Sequence, residues 1–380
     1  MKILVNALPL SGITTGISRY VRNLYTHLLQ LPDLEVCFFN GRRIHQHLPQ
    51  PPEQQRQIRH TDSRRKLPDA ALFAARSLRW LFYEEVLNRR LKKRFDLYHE
   101  TAFTPARLRN GPPQVFTLHD LSLQHYPMYH PRERVWFSSF FFNRRINEAS
   151  HIIVPSNFIK NEVCRQLQLP SRQVTVVPEA PAPVFHPRDR ESVRTVLRHR
   201  EIPEPYLLFA GTLEPRKNLD IIIEALHSCA FPVHLVLVGW QGWGEKTWMQ
   251  KIQAYGLAER VHITGYINDE DLACLYTGAA ALVYPSFYEG FGLPLLEAMA
   301  CGCPVLASNA ASLPEVGGDA ALYFHPERAD QLLEGINCLL SERPFSAEMA
   351  QRGIRRASAF TWRASAERTR EVFLRVSRDG

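Results

Sequence analysis

Two adjacent cations, Arg216 and Lys217, follow an apolar run that ends at Gly211. The run predicts a buried strand, and the segment from Asn218 onward has the period of a helix. Both cations are therefore expected in a loop at the carboxyl end of a strand, where open parallel sheets bind ligands. Arginine offers a fork of donors and lysine a point charge, so the pair suits a phosphate or diphosphate.

Two glutamates, Glu289 and Glu297, belong to the segment YPSFYEGFGLPLLEAMACGCPV. Glu289 precedes a loop in which Gly290 and Gly292 flank Phe291, and these glycines allow the backbone to come close to a ligand. Glu297 stands about one turn into the next helix, so both acids can face one crevice. Paired carboxylates accept hydrogen bonds from vicinal hydroxyls of sugars. Alternatively, Glu297 interacts with the helix dipole and Glu289 with solvent.

The first half of the chain offers two further candidates. A strand-like run leads into a loop that ends at Gly16 before a helix, and such a turn presents backbone amides to an anion. His119 and Asp120 follow the run VFTL, at the carboxyl end of a predicted strand. A plain strand-to-helix turn is the alternative at Gly16, and a capped turn is the alternative at His119.

Short apolar runs alternate with helical segments, a pattern typical of parallel sheets covered by helices. We predict strands at 2–7, 35–39, 95–99, 114–118, 151–154, 173–177, 205–210, 233–238, 261–264, 281–284, 304–307 and 321–324. Two such runs predict an α/β protein with two doubly wound domains in tandem. The proline-rich segment 178–187 is expected to link them.

The charge of this 380-residue chain is unevenly distributed. The net charge is +8, yet residues 1–185 alone contain 26 lysines and arginines against 14 acidic residues. A basic cluster consists of Arg89, Arg90, Lys92, Lys93 and Arg94. It ends a segment that also contains the aromatic residues Trp80, Phe82 and Tyr83. This mixture indicates a helix lying on an anionic membrane surface, with a solvated helix face as the alternative. No nucleic-acid-binding motif accompanies the cluster, so nucleic acid is not an expected partner.

Cysteine usage and hydropathy indicate the compartment. The seven cysteines are scattered through predicted elements, which argues for reduced thiols and against a disulfide framework. No apolar run is long enough to span a bilayer, and the start MKILVNALPL lacks a leader cleavage site. We therefore expect a cytoplasmic protein that can bind peripherally to the inner face of the plasma membrane.

The motifs together resemble the retaining GT-B glycosyltransferases of family 4, also called glycosyl transferases group 1. Matching stretches in the C-terminal half are GTLEPRKN, VHITGYI, YPSFYEGFGLPLLEAMACGCPV and SNAASLPEVGGDAALYF. The resemblance implies two Rossmann-like domains facing a central cleft. Residues 1–185 would bind the acceptor, with 360–380 crossing back onto them, and residues 186–359 would bind the nucleotide sugar.

The resemblance also implies a role for each candidate. Arg216 and Lys217 would hold the donor diphosphate and stabilise the leaving group without a metal. Glu297 would bind the ribose, and Glu289 would bind the transferred sugar together with amides of the glycine loop. His119 would lie near the anomeric centre or an outer hydroxyl. The implied catalytic set is His119, Arg216, Lys217 and Glu289. The implied donor-binding set is Gly16, Gly211, Arg216, Lys217, Ile267, Glu289, Gly290, Phe291, Gly292, Leu293 and Glu297.

Within this set, Gly16 would lie against the diphosphate from the opposite domain, and the backbone at Ile267 would contact the base. One departure from the family pattern is notable: Glu179 and Ala180 follow VVP, where family members commonly have Asn-Gly. No metal ion is expected at the donor site, and no cofactor is expected beyond the donor substrate.

The expected function is retaining transfer of a hexose, with mannose favoured, from a nucleoside-diphosphate sugar such as GDP-mannose. The acceptor would be a glycan or a polyprenyl-linked oligosaccharide in polysaccharide biosynthesis. No convincing carboxylate nucleophile is visible, so we expect same-face attack with the leaving phosphate as base. A sugar-nucleotide epimerase of the same fold and a catalytically silent sugar-nucleotide-binding scaffold are the alternatives.

Overall fold

The structure is a computed structural model that describes residues 1–12, 15–50, 67–91, 94–102 and 104–379. It divides into two compact units, one comprising Met1–Glu179 with Trp362–Gly380 and the other Ala180–Thr361. The sequence predicts domain boundaries after residues 185 and 359. In the structure, the first boundary lies after Glu179, near the start of the proline-rich segment 178–187. The second boundary lies after Thr361, at the start of the last helix.

Unit 1 contains a seven-stranded sheet in the order β3-β2-β1-β4-β5-β6-β7. All neighbouring strands are parallel except β2 and β3, which pair antiparallel at the edge. The strands are β1 (Lys2–Asn6), β2 (Glu35–Phe39), β3 (Ile44–His45), β4 (Leu97–Glu100), β5 (Gln114–Thr117), β6 (His151–Val154) and β7 (Val174–Val176). Each predicted strand of this half has a counterpart, whereas β3 is too short to show a sequence pattern.

Helices of unit 1 connect these strands. They are α1 (Gly16–Leu28), α2 (Asp69–Leu91), α3 (Ser122–His125), α4 (Arg132–Arg145) and α5 (Asn157–Gln166), and the last helix of the chain, Trp362–Asp379, also belongs here. At the start of α1, Thr15 accepts a hydrogen bond from the Ser18 amide and the Ser18 hydroxyl accepts one from the Thr15 amide. This capping box satisfies amides that the first helical turn leaves unpaired. Ile13 and Thr14 of the predicted anion loop lie outside the described residues.

Unit 2 contains a six-stranded, fully parallel sheet in the order β10-β9-β8-β11-β12-β13. The strands are β8 (Tyr206–Ala210), β9 (His234–Val238), β10 (Val261–Gly265), β11 (Ala281–Tyr284), β12 (Val305–Ser308) and β13 (Leu322–Phe324). Both units are thus Rossmann-like, and the predicted α/β fold of two doubly wound domains is confirmed.

The helices of unit 2 pack against its sheet, and their numbers follow those of unit 1. They are α6 (Arg190–His199), α7 (Leu219–Ser228), α8 (Thr247–Ala254), α9 (Asp269–Gly278), α10 (Leu293–Ala300), α11 (Leu313–Gly317), α12 (Ala329–Ser341) and α13 (Arg343–Ser358), and the C-terminal helix of unit 1 is then α14 (Trp362–Asp379). A continuous core of Val, Ile, Leu and Phe side chains from strands and helices is nearly inaccessible to water. Such burial dominates the stability of a domain.

Two further properties of the described residues concern their helices and their cysteines. None of their helices combines the length and the apolar character that crossing a membrane requires. The seven cysteines, all of which lie in described segments, carry free thiols.

Candidate functional site

The carboxyl ends of β8 and β11 mark the point where the strand order of the unit 2 sheet reverses. From β8 the sheet continues through β9 and β10, and from β11 it continues through β12 and β13. Sheets of this kind bind ligands outside the carboxyl ends of the strands at such a point. Arg216 and Lys217 follow β8, and Glu289 follows β11. The Phe287 amide donates to the Arg216 carbonyl at 3.0 Å and joins the two loops.

Lys217 and Glu289 form the centre of this site. The Lys217 Nζ lies 2.5 Å from Glu289 Oε1 and donates to the Tyr284 hydroxyl at 2.9 Å. Tyr284 is the last residue of β11, and its ring centroid lies 5.0 Å from the ammonium. The Lys217 and Glu289 side chains are only 9% and 10% exposed. Water therefore screens their charges weakly, and their attraction is stronger than at a surface.

Arg216 completes the cluster from the same loop. Its Nη2 donates to Glu214 Oε1 at 2.6 Å, and its Nη1 donates to the Tyr288 carbonyl. The same Nη1 lies 3.2 Å from Glu289 Oε2, so both cations contact one carboxylate. The guanidinium and the ammonium are thus held in place before any ligand arrives, which is the preorganisation that electrostatic stabilisation of a developing anion requires.

The ionisation of Glu289 follows from these contacts. Burial alone raises its pKa, but the charges of Lys217 and Arg216 and the hydrogen bond from Lys217 outweigh burial and lower the pKa to about 2. Burial lowers the pKa of Lys217 below its ordinary value, although Glu289 acts in the opposite direction. Glu289 is therefore an acceptor-only carboxylate at neutral pH, as the binding of sugar hydroxyls requires.

The glycine loop after Glu289 is fixed by one glycine and one serine. Gly292 caps the start of α10 with φ +107°, and a Cβ added there would lie 2.7 Å from a methyl group of Leu313. Both the backbone angle and the space therefore favour glycine. The Ser312 hydroxyl lies 2.8 Å from the Glu289 carbonyl and 3.0 Å from the Phe291 carbonyl, so it ties α11 to the loop.

Glu297 lies on α10, four residues after Leu293, and is 2% exposed. It accepts a hydrogen bond from the Tyr276 hydroxyl of α9 at 3.3 Å. Lys217 and Arg216 thus contact Glu289, and Glu297 contacts Tyr276. Both sets lie in unit 2.

The remaining donor-binding candidates of unit 2 are distributed along the same sheet edge. Gly211 directly follows β8, and its amide donates to the Val238 carbonyl at 2.9 Å. A Cβ on Gly239, which follows β9, would lie 1.9 Å from the Gly211 carbonyl oxygen, so the two strand ends approach closely. Ile267 lies two residues after β10 and is 3% exposed. Gly290 and Phe291 are buried in the loop, and Leu293 is the first residue of α10.

In unit 1, His119 lies after β5 as predicted and is held between two oxygen atoms. Its Nδ1 is 3.5 Å from Glu179 Oε1, and its Nε2 is 3.4 Å from the Thr101 carbonyl oxygen. Asp120 accepts a hydrogen bond from the Ser122 amide at 2.9 Å, which is the capped-turn arrangement. Gly16 is the first residue of α1, and a Cβ added there would meet no heavy atom within 4 Å among the described residues.

Sequence reasoning assigned no role to several residues that build the site. Glu214 lies in the loop that carries Arg216 and Lys217, and Tyr284 is the last residue of a predicted strand. These positions next to predicted motifs are the sequence signal by which both residues could have been identified. Ser312 is more than twenty residues from Glu289, and only the packing of α11 reveals its contact. Among the described residues, no group of three or more His, Cys, Asp or Glu side chains is arranged to hold a metal ion.

Two Rossmann-like units, with a preorganised Arg-Lys-Glu cluster at the switch point of the second, define a GT-B glycosyltransferase. Comparison with known proteins agrees. Residues 192–356 match the family described as Glycosyl transferases group 1, and residues 14–180 match Glycosyltransferase Family 4. The chain is 32% identical to O-antigen chain mannosyltransferase B of Escherichia coli over 374 residues, which cover 95% of this chain and 96% of that protein. The chain therefore belongs to the family 4, group 1 glycosyltransferases and is an enzyme of that class, which confirms the resemblance.

Solved structures show the same fold. Sucrose-phosphate synthase from Thermosynechococcus elongatus superposes with a TM-score of 0.76 at 21% identity, with 100% of both chains covered. HepE from Anabaena, in complex with UDP-glucose, superposes with a TM-score of 0.70 at 20% identity, with 98% of this chain and 99% of that chain covered.

Proposed function

We propose that the protein transfers a hexose with retention of anomeric configuration from a nucleoside-diphosphate sugar to a glycan or polyprenyl-linked oligosaccharide. Mannose from GDP-mannose is the favoured donor. The naming of the full-length relative as an O-antigen chain mannosyltransferase supports this choice of sugar and a role in polysaccharide biosynthesis. HepE, which has the same fold, was solved with UDP-glucose, in line with a nucleotide-sugar donor.

The observation that carries the proposal is the convergence of Arg216, Lys217 and Glu289 at the switch point of unit 2. Cleavage of an anomeric carbon–phosphate bond builds negative charge on the leaving diphosphate. Arg216 and Lys217 supply positive charge there, so a metal ion is not required. Glu289 accepts hydrogen bonds from hydroxyls of the sugar, together with the amides of the loop from Gly290 to Gly292.

The other candidates take the roles that the resemblance implies. Glu297 binds the ribose, the backbone at Ile267 contacts the base, and Gly16 lies against the diphosphate. Gly211 and Leu293 flank the two loops that surround the donor. His119 acts near the anomeric centre or an outer sugar hydroxyl.

Retention follows if the acceptor attacks from the face that the leaving group occupies. The acceptor hydroxyl then passes its proton to an oxygen of the departing phosphate, the bond from the anomeric carbon to that phosphate breaks, and the new glycosidic bond forms on the same face. Arg216 and Lys217 stabilise the departing phosphate during this step. The carboxylate of Glu289 is engaged by both cations and serves in binding rather than as a nucleophile.

We also propose that unit 1 binds peripherally to the cytoplasmic face of an anionic membrane, where a lipid-linked acceptor resides. The outer face of α2 supports this, since Leu78 is 68% and Phe82 is 60% exposed. Arg90 and Arg94 are exposed at the end of this helix, whereas Arg89 pairs with Glu85 at 2.9 Å. Lys92 and Lys93 of the predicted basic cluster lie outside the described residues. Exposed apolar groups beside cations match the interfacial region of an anionic bilayer.

A donor screen tests the proposal. The purified protein is incubated in EDTA with GDP-mannose, UDP-glucose or UDP-galactose and a synthetic polyprenyl-diphosphate oligosaccharide, and the product linkage is read by NMR. We expect mannose transfer in the α configuration that GDP-mannose carries. Transfer from another donor, an inverted product or loss of activity in EDTA would contradict the corresponding part of the proposal.

A further inference from the structure

The imidazole of His119 has an oxygen acceptor at each of its nitrogens. Glu179 Oε1 lies 3.5 Å from Nδ1, and the Thr101 carbonyl oxygen lies 3.4 Å from Nε2. The His119 and Glu179 side chains are 17% and 8% exposed, so both are largely shielded from water. A carboxylate at this distance favours a proton on the facing nitrogen.

Both acceptors are themselves anchored within unit 1. The Thr101 hydroxyl donates to the Asn6 carbonyl at 2.7 Å, which fixes the backbone that follows β4 to the end of β1. On the other side, Ser365 of α14 donates to the Pro178 carbonyl at 2.6 Å, directly before Glu179. The two groups that contact the imidazole therefore belong to segments whose backbone is fixed by hydrogen bonds.

Three other titratable groups lie near His119, and they have other contacts or are neutral at pH 7. The Tyr20 ring contacts the imidazole edge-to-face at 4.8 Å, and burial raises the pKa of its hydroxyl. His99 lies on β4, and burial lowers its pKa to about 3, so it is neutral at pH 7. Asp120 is a chain neighbour whose carboxylate caps the turn at Ser122. Glu179 is the carboxylate that faces a ring nitrogen of His119.

We propose that Glu179 is a positioning residue for His119, which fixes the orientation of the imidazole and keeps its Nδ1 protonated. This inference rests on the proposed role of His119 in transfer. Glu179 stands at a position where family members commonly have a neutral asparagine, and this chain has a carboxylate there. The Nδ1–H then donates to Glu179, and the contact of Nε2 with the Thr101 carbonyl restricts rotation of the ring.

Kinetics of the variants Glu179→Gln and Glu179→Asp test the proposal. Glu179→Gln removes the charge at nearly constant shape, so we expect kcat to fall about tenfold or more while the KM for the donor changes little. Glu179→Asp, which restores the carboxylate, should recover part of kcat.

A matched control exists in the same unit. His125 Nε2 lies 3.2 Å from Glu162 Oε1, with side-chain exposures of 26% and 11%. Glu162→Gln removes a carboxylate from this second histidine–glutamate pair. We expect it to leave kcat unchanged, so that a general effect of losing such a pair is accounted for.

NMR of the full-length protein labelled with ¹⁵N-histidine separates this inference from the proposed function. The His119 signals are assigned by their loss in His119→Gln. We expect a protonated Nδ1 in the wild type at pH 7 and a larger unprotonated fraction in Glu179→Gln, whether or not the correct acceptor has been found. An unchanged Nδ1 signal, or a wild-type kcat in Glu179→Gln, would overturn the positioning role while leaving the transferase assignment intact.

Discussion

Lys217 and Glu289 lie 72 residues apart in the chain, yet they form a buried ion pair with 2.5 Å between Nζ and Oε1. The pair connects the loop after β8 to the loop after β11, and these two strands are neighbours in the sheet. Arg216 contacts the same carboxylate from the other side. The proposed donor site is therefore part of the electrostatic framework that holds the two loops of unit 2 together.

Acid should weaken this framework. The pKa of Glu289 is lowered to about 2 in the folded state from an ordinary value of 4.5. A carboxyl with a lowered folded pKa stabilises the fold above about pH 4.5 and loses that contribution as the pH falls toward 2. We expect Glu289→Gln to cost about 3 kcal/mol in the free energy of unfolding at pH 7 and progressively less below pH 4.5. Urea unfolding from pH 7 to pH 3 measures this, and a constant difference would contradict it.

Glu100 should give the opposite pH dependence. Its carboxylate accepts hydrogen bonds from Asn6, the Tyr98 hydroxyl and the Ala102 amide. Burial outweighs these bonds and raises its pKa from 4.5 to about 7. The folded state then binds the proton more tightly than the unfolded chain, so stability falls as the pH rises from about 4.5 to 7.

The neutral variant Glu100→Gln removes this titration. We expect the wild type to lose about 3 kcal/mol relative to the variant between pH 4.5 and pH 8. Denaturant unfolding at several pH values provides the measurement. Parallel stability curves for the two proteins would show that Glu100 titrates normally.

Gly292 should tolerate alanine poorly. The φ of +107° and the 2.7 Å approach to Leu313 both penalise a Cβ. Gly256 has φ +66° with no heavy atom within 4 Å of an added Cβ, so Gly256→Ala carries the backbone penalty without the clash. We expect Gly292→Ala to cost about 2 kcal/mol or more, and Gly256→Ala about 1 kcal/mol. Thermal unfolding compares them, and equal losses would exclude a role for the contact with Leu313.

Vesicle binding tests the membrane proposal. The protein should sediment with vesicles containing anionic lipid in low salt and leave them in high salt. Substitution of Arg89, Arg90 and Arg94 by glutamate should reduce vesicle binding by about a hundredfold or more. Each basic residue near an anionic membrane surface contributes about 1 kcal/mol to binding. The control reverses Arg194 and Arg198, which are exposed on α6 of unit 2. Equal binding of the two variants would exclude the α2 surface.

The sequence predicted the parts of the fold that depend on local pattern. Apolar runs located the strands because a buried parallel strand leaves a continuous hydrophobic signature, and the order of motifs along the chain placed Arg216 and Glu289 at strand ends. The pattern could not show that β8 and β11 are adjacent, because strand order is a tertiary property. The contact of Lys217 with Tyr284 depends on that adjacency, and the contact of His119 with Glu179 depends on the packing of unit 1.

The central claim is that Arg216 and Lys217 bind the donor diphosphate and stabilise its departure. The initial rate of mannose transfer from GDP-mannose in EDTA, compared between the wild type and Arg216→Ala, tests it most directly. We predict that kcat falls by about a hundredfold or more in Arg216→Ala, while Arg198→Ala, which removes an exposed arginine of the same unit, behaves as the wild type. Wild-type transfer by Arg216→Ala would contradict the account.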